Sequence, residues 1–272
     1  MPVTHGTVIR LYDVHPRLGR HQILDARSMA HTITPQAHIK PAAHDPAIPI
    51  LDQSDLHAQG IHVPQLFPDI RGVEDVDELG SCVGNGSTYA LSNLYADELD
   101  TVGLSATDAV ANEKVAIQRY HRATQKDEQL LKQYPKSDCG SSGLGSCRAM
   151  KADGLIGDYR WATSLQGLAT ALQEHGVIGG FPWFNSWFDA DRDGFVDAGT
   201  PEDWEASGLA GGHELYVARL EVWDDRHPER CVLAGPNSWK GTWGDGGWWR
   251  MKGSTYLAMR RYIDIKQPRR AA

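Results

Sequence analysis

Apolar and polar positions follow two different rhythms along the 272 residues. Between residues 82 and 97 the run CVGNGSTYALSNLYAD places Val83, Tyr89, Ala90, Leu94 and Tyr95 on a helical repeat. A period near 3.6 predicts a helix there. A second helix is predicted over 106–125, with Ser105 or Thr107 as its cap. A third is expected over 146–154, and a fourth over 163–174, stopped by Gly176. After Gly211 the rhythm changes. ELYVARLEVW alternates as a half-buried strand does, and CVLAGPNSW and GGWWRMK read as further strands set apart by glycine turns. A helical first half and a strand-rich second half predict an α+β protein of two lobes.

Residues 1–70 keep neither rhythm for long. They hold eight of the 14 prolines and eight of the 12 histidines, and only 8–11 suggests a short strand. This stretch reads as an extended N-terminal arm lying on a body that spans 71–272. Its histidines have no ligand-like spacing, so scattered surface histidines are the plain expectation.

Charge narrows the class of partner. The formal net charge is −8, which argues against nucleic acid and against an anionic membrane surface. No apolar run nears the ~18 residues that span a bilayer. The first 20 residues lack the charged-then-apolar layout of a secretory signal. The expectation is synthesis in the cytoplasm, with association with a virion or release by another route left open. The four cysteines, Cys82, Cys139, Cys147 and Cys231, are too few for a disulfide scaffold. Cys139 and Cys147 share a glycine- and serine-rich loop and could pair in an oxidising compartment.

Three short motifs carry candidate chemistry. Cys82 closes the run LGSC at the head of the first helix, where converging N–H groups and the helix dipole favour a thiolate. His213 follows Gly211 and Gly212 directly before a strand, and these small residues would let a substrate backbone approach an imidazole. Asn237 opens NSWKGTWGDGGW. Its amide could fix the tautomer of a histidine, and Trp239 could keep water off that bond. Each motif alone has an ordinary structural reading: a buried thiol, a structural histidine, a Trp-rich core. Together they place a nucleophile, a base and an orienting group in the order Cys, His, Asn, with spacings of 131 and 24 residues.

In these three places the sequence resembles the papain-like (C1) cysteine peptidases. The runs RYHRATQKDEQLLKQYP, DCGSSGLGSCRAMKADGLIGDYRWA and WFNSWFDADRDGFVDAGTPEDWEASGLAGGHE resemble the members encoded by bacteriophages and bacteria. The resemblance implies a two-lobed fold, with Cys82 on a helical left lobe and His213 and Asn237 on a β-rich right lobe. A peptide or protein substrate would lie between them, against Gly140, Ser141, Ser142, Gly212 and Trp239. It implies peptide-bond hydrolysis by a Cys-His-Asn triad through a thioester, with no cofactor required. In such proteins an N-terminal segment often fills the cleft until it is cleaved. The arm at 1–70 could be such a segment, or it could dock on an assembly partner.

The resemblance breaks in two of its motifs. Val83 replaces the usual Trp after the nucleophile, and Lys240 replaces a usual Gly. More seriously, VEDVDELGSC puts Val76 where the family carries a Gln that donates to the oxyanion, and valine donates nothing. Gln53 and Gln59 lie upstream, but either would need a loop excursion of more than 20 residues; Asn85 or a backbone amide is another candidate. The alternative function is therefore a weakened or inactive relative that binds or builds, for example in a phage particle. Separately, FDADRDGFVDAG sets Asp189, Asp191, Asp193 and Asp197 around Gly194, as the start of a calcium loop does, but Thr200 stands where a bidentate acid belongs. A solvated acidic turn is the plainer reading and structural calcium the other.

Overall fold

A computed structural model describes residues 7–9, 17–128, 130 and 132–271. In chain order the elements are β1 (Thr7–Ile9), β2 (Gln22–Leu24), β3 (Ala42–Ala43), α1 (Val63–Leu66), α2 (Cys82–Leu94), α3 (Ala109–Lys126) and α4 (Gly143–Ala152). They continue with β4 (Asp158–Ala162), α5 (Leu165–Ala171), β5 (Val177–Phe184), α6 (Pro201–Ala206), β6 (Leu209–Val217), β7 (Arg219–Val222), β8 (Val232–Pro236), β9 (Trp248–Lys252), α7 (Gly253–Met259) and β10 (Asp264–Arg269).

The helical half is built around α2, which is buried along most of its length. It lies so close to α3 that a Cβ at Gly84 would sit 2.1 Å from the carbonyl oxygen of Ala116. The start of α3 differs from the sequence expectation. Ser105 and Thr107 do not cap it; Asp108 does, accepting the amide of Ala111. A carboxylate there satisfies an orphan N–H and complements the dipole. Ser105 instead braces the preceding turn through the amides of Thr107 and Asp108. Ser142 caps α4 and Ser164 caps α5, each accepting the N–H three residues on.

The strand-rich half consists of two four-stranded sheets, ordered β4-β10-β5-β6 and β3-β7-β8-β9. The alternating run ELYVARLEVW is two strands rather than one. It breaks at Ala218, whose N–H donates to Ala234 and whose carbonyl accepts from His44, so the chain passes there from one sheet to the other. β10 escaped the sequence reading because Lys266, Gln267 and Pro268 make DIKQPR look like a surface tail. It nonetheless runs inside its sheet, between β4 and β5, and Pro268 falls where the pairing with β5 has ended. A Trp-rich core containing Trp183, Trp187, Trp204, Trp239 and Trp249 fills the space between these sheets and α5–α7.

The stretch before residue 70 contributes to this structure directly. β3 pairs with β7, and Leu56, Ile61, Val63 and Phe67 form a buried cluster with Leu79, Ile117 and Tyr120. The short strand expected at 8–11 appears at Thr7–Ile9, paired with β2; Arg10 and Leu11 lie outside the described residues. Because α2 and α3 touch backbone to backbone at Gly84, Gly84→Ala must push them apart. It should lower stability by about 1–3 kcal/mol, read as a reduced urea midpoint at unchanged slope.

Candidate active site

Cys82 is the first residue of α2 and is fully buried. His213 and Glu214 lie on β6, and the amide of Glu214 donates to the Cys82 sulfur at 3.4 Å. That contact brings the head of the helix against the strand that bears the histidine. Nε2 of His213 is 2.8 Å from Oδ1 of Asn237, just beyond the end of β8. Because an amide oxygen can only accept, Nε2 carries the proton in this bond, and the neutral ring has its lone pair on Nδ1. Nδ1 has no hydrogen-bond partner. Asn237 is itself braced, since Oδ1 also accepts the amide of Ser238 at 2.8 Å.

Two tryptophans hold the imidazole. Trp239 stacks on it with centroids 4.7 Å apart and planes 22° apart, and Trp183 meets it edge-on at 4.8 Å. Trp239 was expected from the sequence. Trp183 was not, since it sits on β5 in a run, VIGGFPWF, with no motif around it. One hydroxyl ties the halves together: Tyr89 of α2 donates to the carbonyl of Asn237 at 3.1 Å and accepts the amide of Leu51 at 2.7 Å.

The expected substrate wall is in contact with the chain's own residues 17–22. Ser141 donates its amide to Gly19 and accepts the amide of His21, both at 2.6 Å, and Gly212 accepts the amide of Arg20 at 3.0 Å. Gly140 presses on the same segment, since a Cβ there would lie 2.4 Å from the oxygen of Gly19. Ser142 is turned away, spending its hydroxyl on Asp127 and on the α4 cap. The Gly19 amide lies near enough to the Cys82 sulfur to favour its charged form. Gly19 fits only as glycine, because a Cβ would fall 1.7 Å from the oxygen of Gly80.

Of the three proposed replacements for the missing Gln, the structure brings Gln53 to the site. The long excursion closes because its two ends pair: Leu79 donates to Gln53 at 3.1 Å and Leu56 to Asp77 at 2.8 Å. The Gln53 side chain is fully buried. Its oxygen accepts from the hydroxyl of Ser238 at 2.7 Å, and its amide donates to the carbonyls of Leu79 at 2.8 Å and Arg17 at 3.0 Å. Gln59 spends its amide on its own loop, and Asn85 spends its own on Glu113. Val76 packs on the apolar cluster around Leu79.

The buried site is electrically quiet. Burial pushes the Cys82 thiol up to about 12, against the pull of the Glu214 and Gly19 amides. Burial takes His213 down to about 4, against the bond to Asn237. With the segment in place, both groups are neutral at pH 7.

The four aspartates of the acidic loop are not gathered around one point. Asp191 accepts the amide of Phe195. Asp197 is buried and is taken by the amide of Lys252 and the hydroxyl of Thr255. Among the described residues, one trio could hold an ion: His57, His62 and Asp75, whose ligand atoms lie within 4.8 Å of one another. All four cysteines are free thiols. No helix among the described residues is long and apolar enough to cross a membrane.

No family model matches the chain, and no curated protein matches it. Solved structures do. Xylellain, a cysteine protease from Xylella fastidiosa, is similar over 94% of this chain and 97% of its own, with a TM-score of 0.62 and 15% identity. The Carica candamarcensis cysteine protease CMS1MS2, solved with E-64, is similar over 83% of this chain and 95% of its own, with a TM-score of 0.50 and 14% identity. The chain thus has the papain-like fold, with papain-like cysteine proteases as its structural neighbours.

The depressed pKa of His213 gives the closed site a pH dependence. A histidine freed from burial titrates near 6.5. As pH falls from about 6.5 through 4, His213 of the unfolded chain takes up a proton that the closed chain refuses. This contribution to the closed state is complete above 6.5 and is lost through 4. Glu214, whose carboxyl is pushed up chiefly by burial, works in the opposite direction, so a control is needed. The free energy of unfolding, read from urea midpoints at unchanged slope, should fall by roughly 2–3 kcal/mol more between pH 7 and 4.5 in the native chain than in His213→Gln.

Proposed function

We propose that the chain is a cysteine peptidase held closed by its own N-terminal segment. The observation that carries this reading is the contact of a helix-heading thiol with the strand of an imidazole that an Asn carbonyl orients and two tryptophans shield. A structural histidine needs no such tautomer control.

In the opened site, water and substrate replace the segment, and the burial that keeps both groups neutral is relieved. The proton can then pass from Cys82 to Nδ1 of His213, giving a thiolate at the helix N-terminus and an imidazolium held by Asn237. The thiolate attacks the scissile carbonyl, and the imidazolium protonates the leaving amine. The neutral ring then takes a proton from the water that clears the thioester. Gln53 supplies the oxyanion donor that Val76 cannot. Its amide already holds a peptide carbonyl, that of Arg17, and Ser238 fixes its orientation.

The segment resists cleavage in this pose for a geometric reason. It runs parallel to the chain at Ser141, and the group it brings near the sulfur is the Gly19 N–H. An amide hydrogen offers a nucleophile nothing to attack. The reading supposes a peptide or protein substrate and release by displacement of residues 17–22; it requires no metal.

Intact-mass analysis with an epoxide-type cysteine peptidase inhibitor tests the function. Native chain at pH 7 should label slowly. Gly19→Val, whose side chain cannot fit beside Gly80, should label at least about tenfold faster, with the adduct on Cys82 and none in the Cys82→Ala double variant. An opened chain that labels no faster than a free thiol would favour a non-catalytic binding protein. In the opened chain Gln53→Ala should lower kcat by about 10²–10³ with little change in KM, as expected for a lost oxyanion donor.

A further inference from the structure

The occupying segment buries the side chains of Leu18, Arg20 and Gln22, and of these only Arg20 is charged. Arg20 is fully buried, in ion pairs with Asp264 on β10 and with Glu214 on β6, the latter at 4.0 Å. Its guanidinium also donates to the carbonyl of Tyr262 at 3.1 Å. Lys266 lies on the far side of Asp264 and is paired with it. The lining makes room for the ligand, since a Cβ at Gly180 would lie 2.2 Å from Nε of Arg20.

The quartet of Arg20, Lys266, Glu214 and Asp264 is neutral only while Arg20 is present. Without it the pocket holds two buried carboxylates and one cation, with Glu214 left to the Gly143 amide and the charge of Lys266. A buried charge deprived of its partner strongly favours whatever restores one. The fixed carbonyl of Tyr262 and the separated carboxylates suit a planar fork of N–H donors better than a single ammonium.

We propose that this pocket selects substrates by an arginine side chain and that Arg20 imitates it; the proposal rests on the peptidase reading above. The register names the position. Arg20 faces Ser141 while its neighbour Gly19 faces Cys82. A substrate must run in the opposite direction to bring a carbonyl carbon to the sulfur. With its arginine facing Ser141, the next residue toward the C-terminus faces Cys82, and the bond after that residue is cut. The substrate class is peptides cleaved one residue beyond an arginine.

The full-length Gly19→Val chain, with Arg20→Met as a second opened variant, would be assayed on acetyl-Arg-Gly and acetyl-Leu-Gly aminocoumarin amides. The arginine substrate should win by about 10²-fold or more in kcat/KM, as a site built for polar partners rejects an analogue lacking them. Asp264→Asn should reduce that ratio at least tenfold by slowing the arginine substrate, and Glu214→Gln provides the same reading if the first variant does not fold. Equal or better cleavage of the leucine substrate overturns the proposal while sparing the peptidase reading. If neither substrate is cut, the peptidase reading fails. The pocket is then judged by binding of acetyl-Arg-Gly-amide and acetyl-Leu-Gly-amide to the opened Cys82→Ala chain, followed by tryptophan fluorescence. Tighter binding of the arginine peptide supports it, and equal affinities overturn it.

Discussion

Everything at the site depends on how the head of α2 is held against the strand-rich half. The Tyr89 hydroxyl makes that joint, donating to the carbonyl of Asn237 and accepting from the amide of Leu51. Three chain segments, distant in sequence, meet on one buried oxygen. A buried polar network of this kind fixes geometry because every alternative leaves a donor or acceptor unpaired. The consequence is positional. Cys82 cannot slide along β6, and Asn237 cannot swing away from His213, without breaking a buried bond.

The same burial that fixes the site also silences it. Catalysis by a thiol requires a charged pair, and charge is what a dry interior opposes. The closed chain therefore keeps both groups neutral: a thiol pushed up to about 12 and an imidazole pushed down to about 4. Residues 17–22 cover the site and thereby maintain this state. Their backbone is held by Ser141 and Gly212, Gly19 allows close approach, and the side chains of Arg17, Leu18, Arg20, His21 and Gln22 add contacts of their own.

The position of Gln53 beside Ser238 and Leu79 follows from loop closure. Gln53 and Leu79 are 26 residues apart, yet closing a longer loop costs only slowly more entropy. Here the ends are tied by main-chain bonds and the interior by Leu56, Ile61 and Val63, whose cluster Val76 joins. Val76 thus helps to pack the excursion that brings Gln53 to Ser238.

By itself the sequence determined the α+β division and the placement of Cys82 at a helix head, because those rest on local periodicity and capping. Cys82, His213 and Asn237 were legible through motif and spacing, and Ser141, Gly140, Gly212 and Trp239 through the resemblance. Ser142 was placed in the same wall, but its hydroxyl belongs to a helix cap. What no local pattern carried was set by long-range pairing: β10 inside its sheet despite Lys266 and Pro268, Trp183 against His213, and Gln53 at the site. The acidic pocket is the clearest case. Glu214 and Asp264 lie 50 positions apart and Arg20 nearly 200 before them, and only Glu214 adjoins a recognisable motif, the GGH that ends at His213. Only the tertiary structure removes them from water together, and desolvation is what turns three ordinary charges into a site.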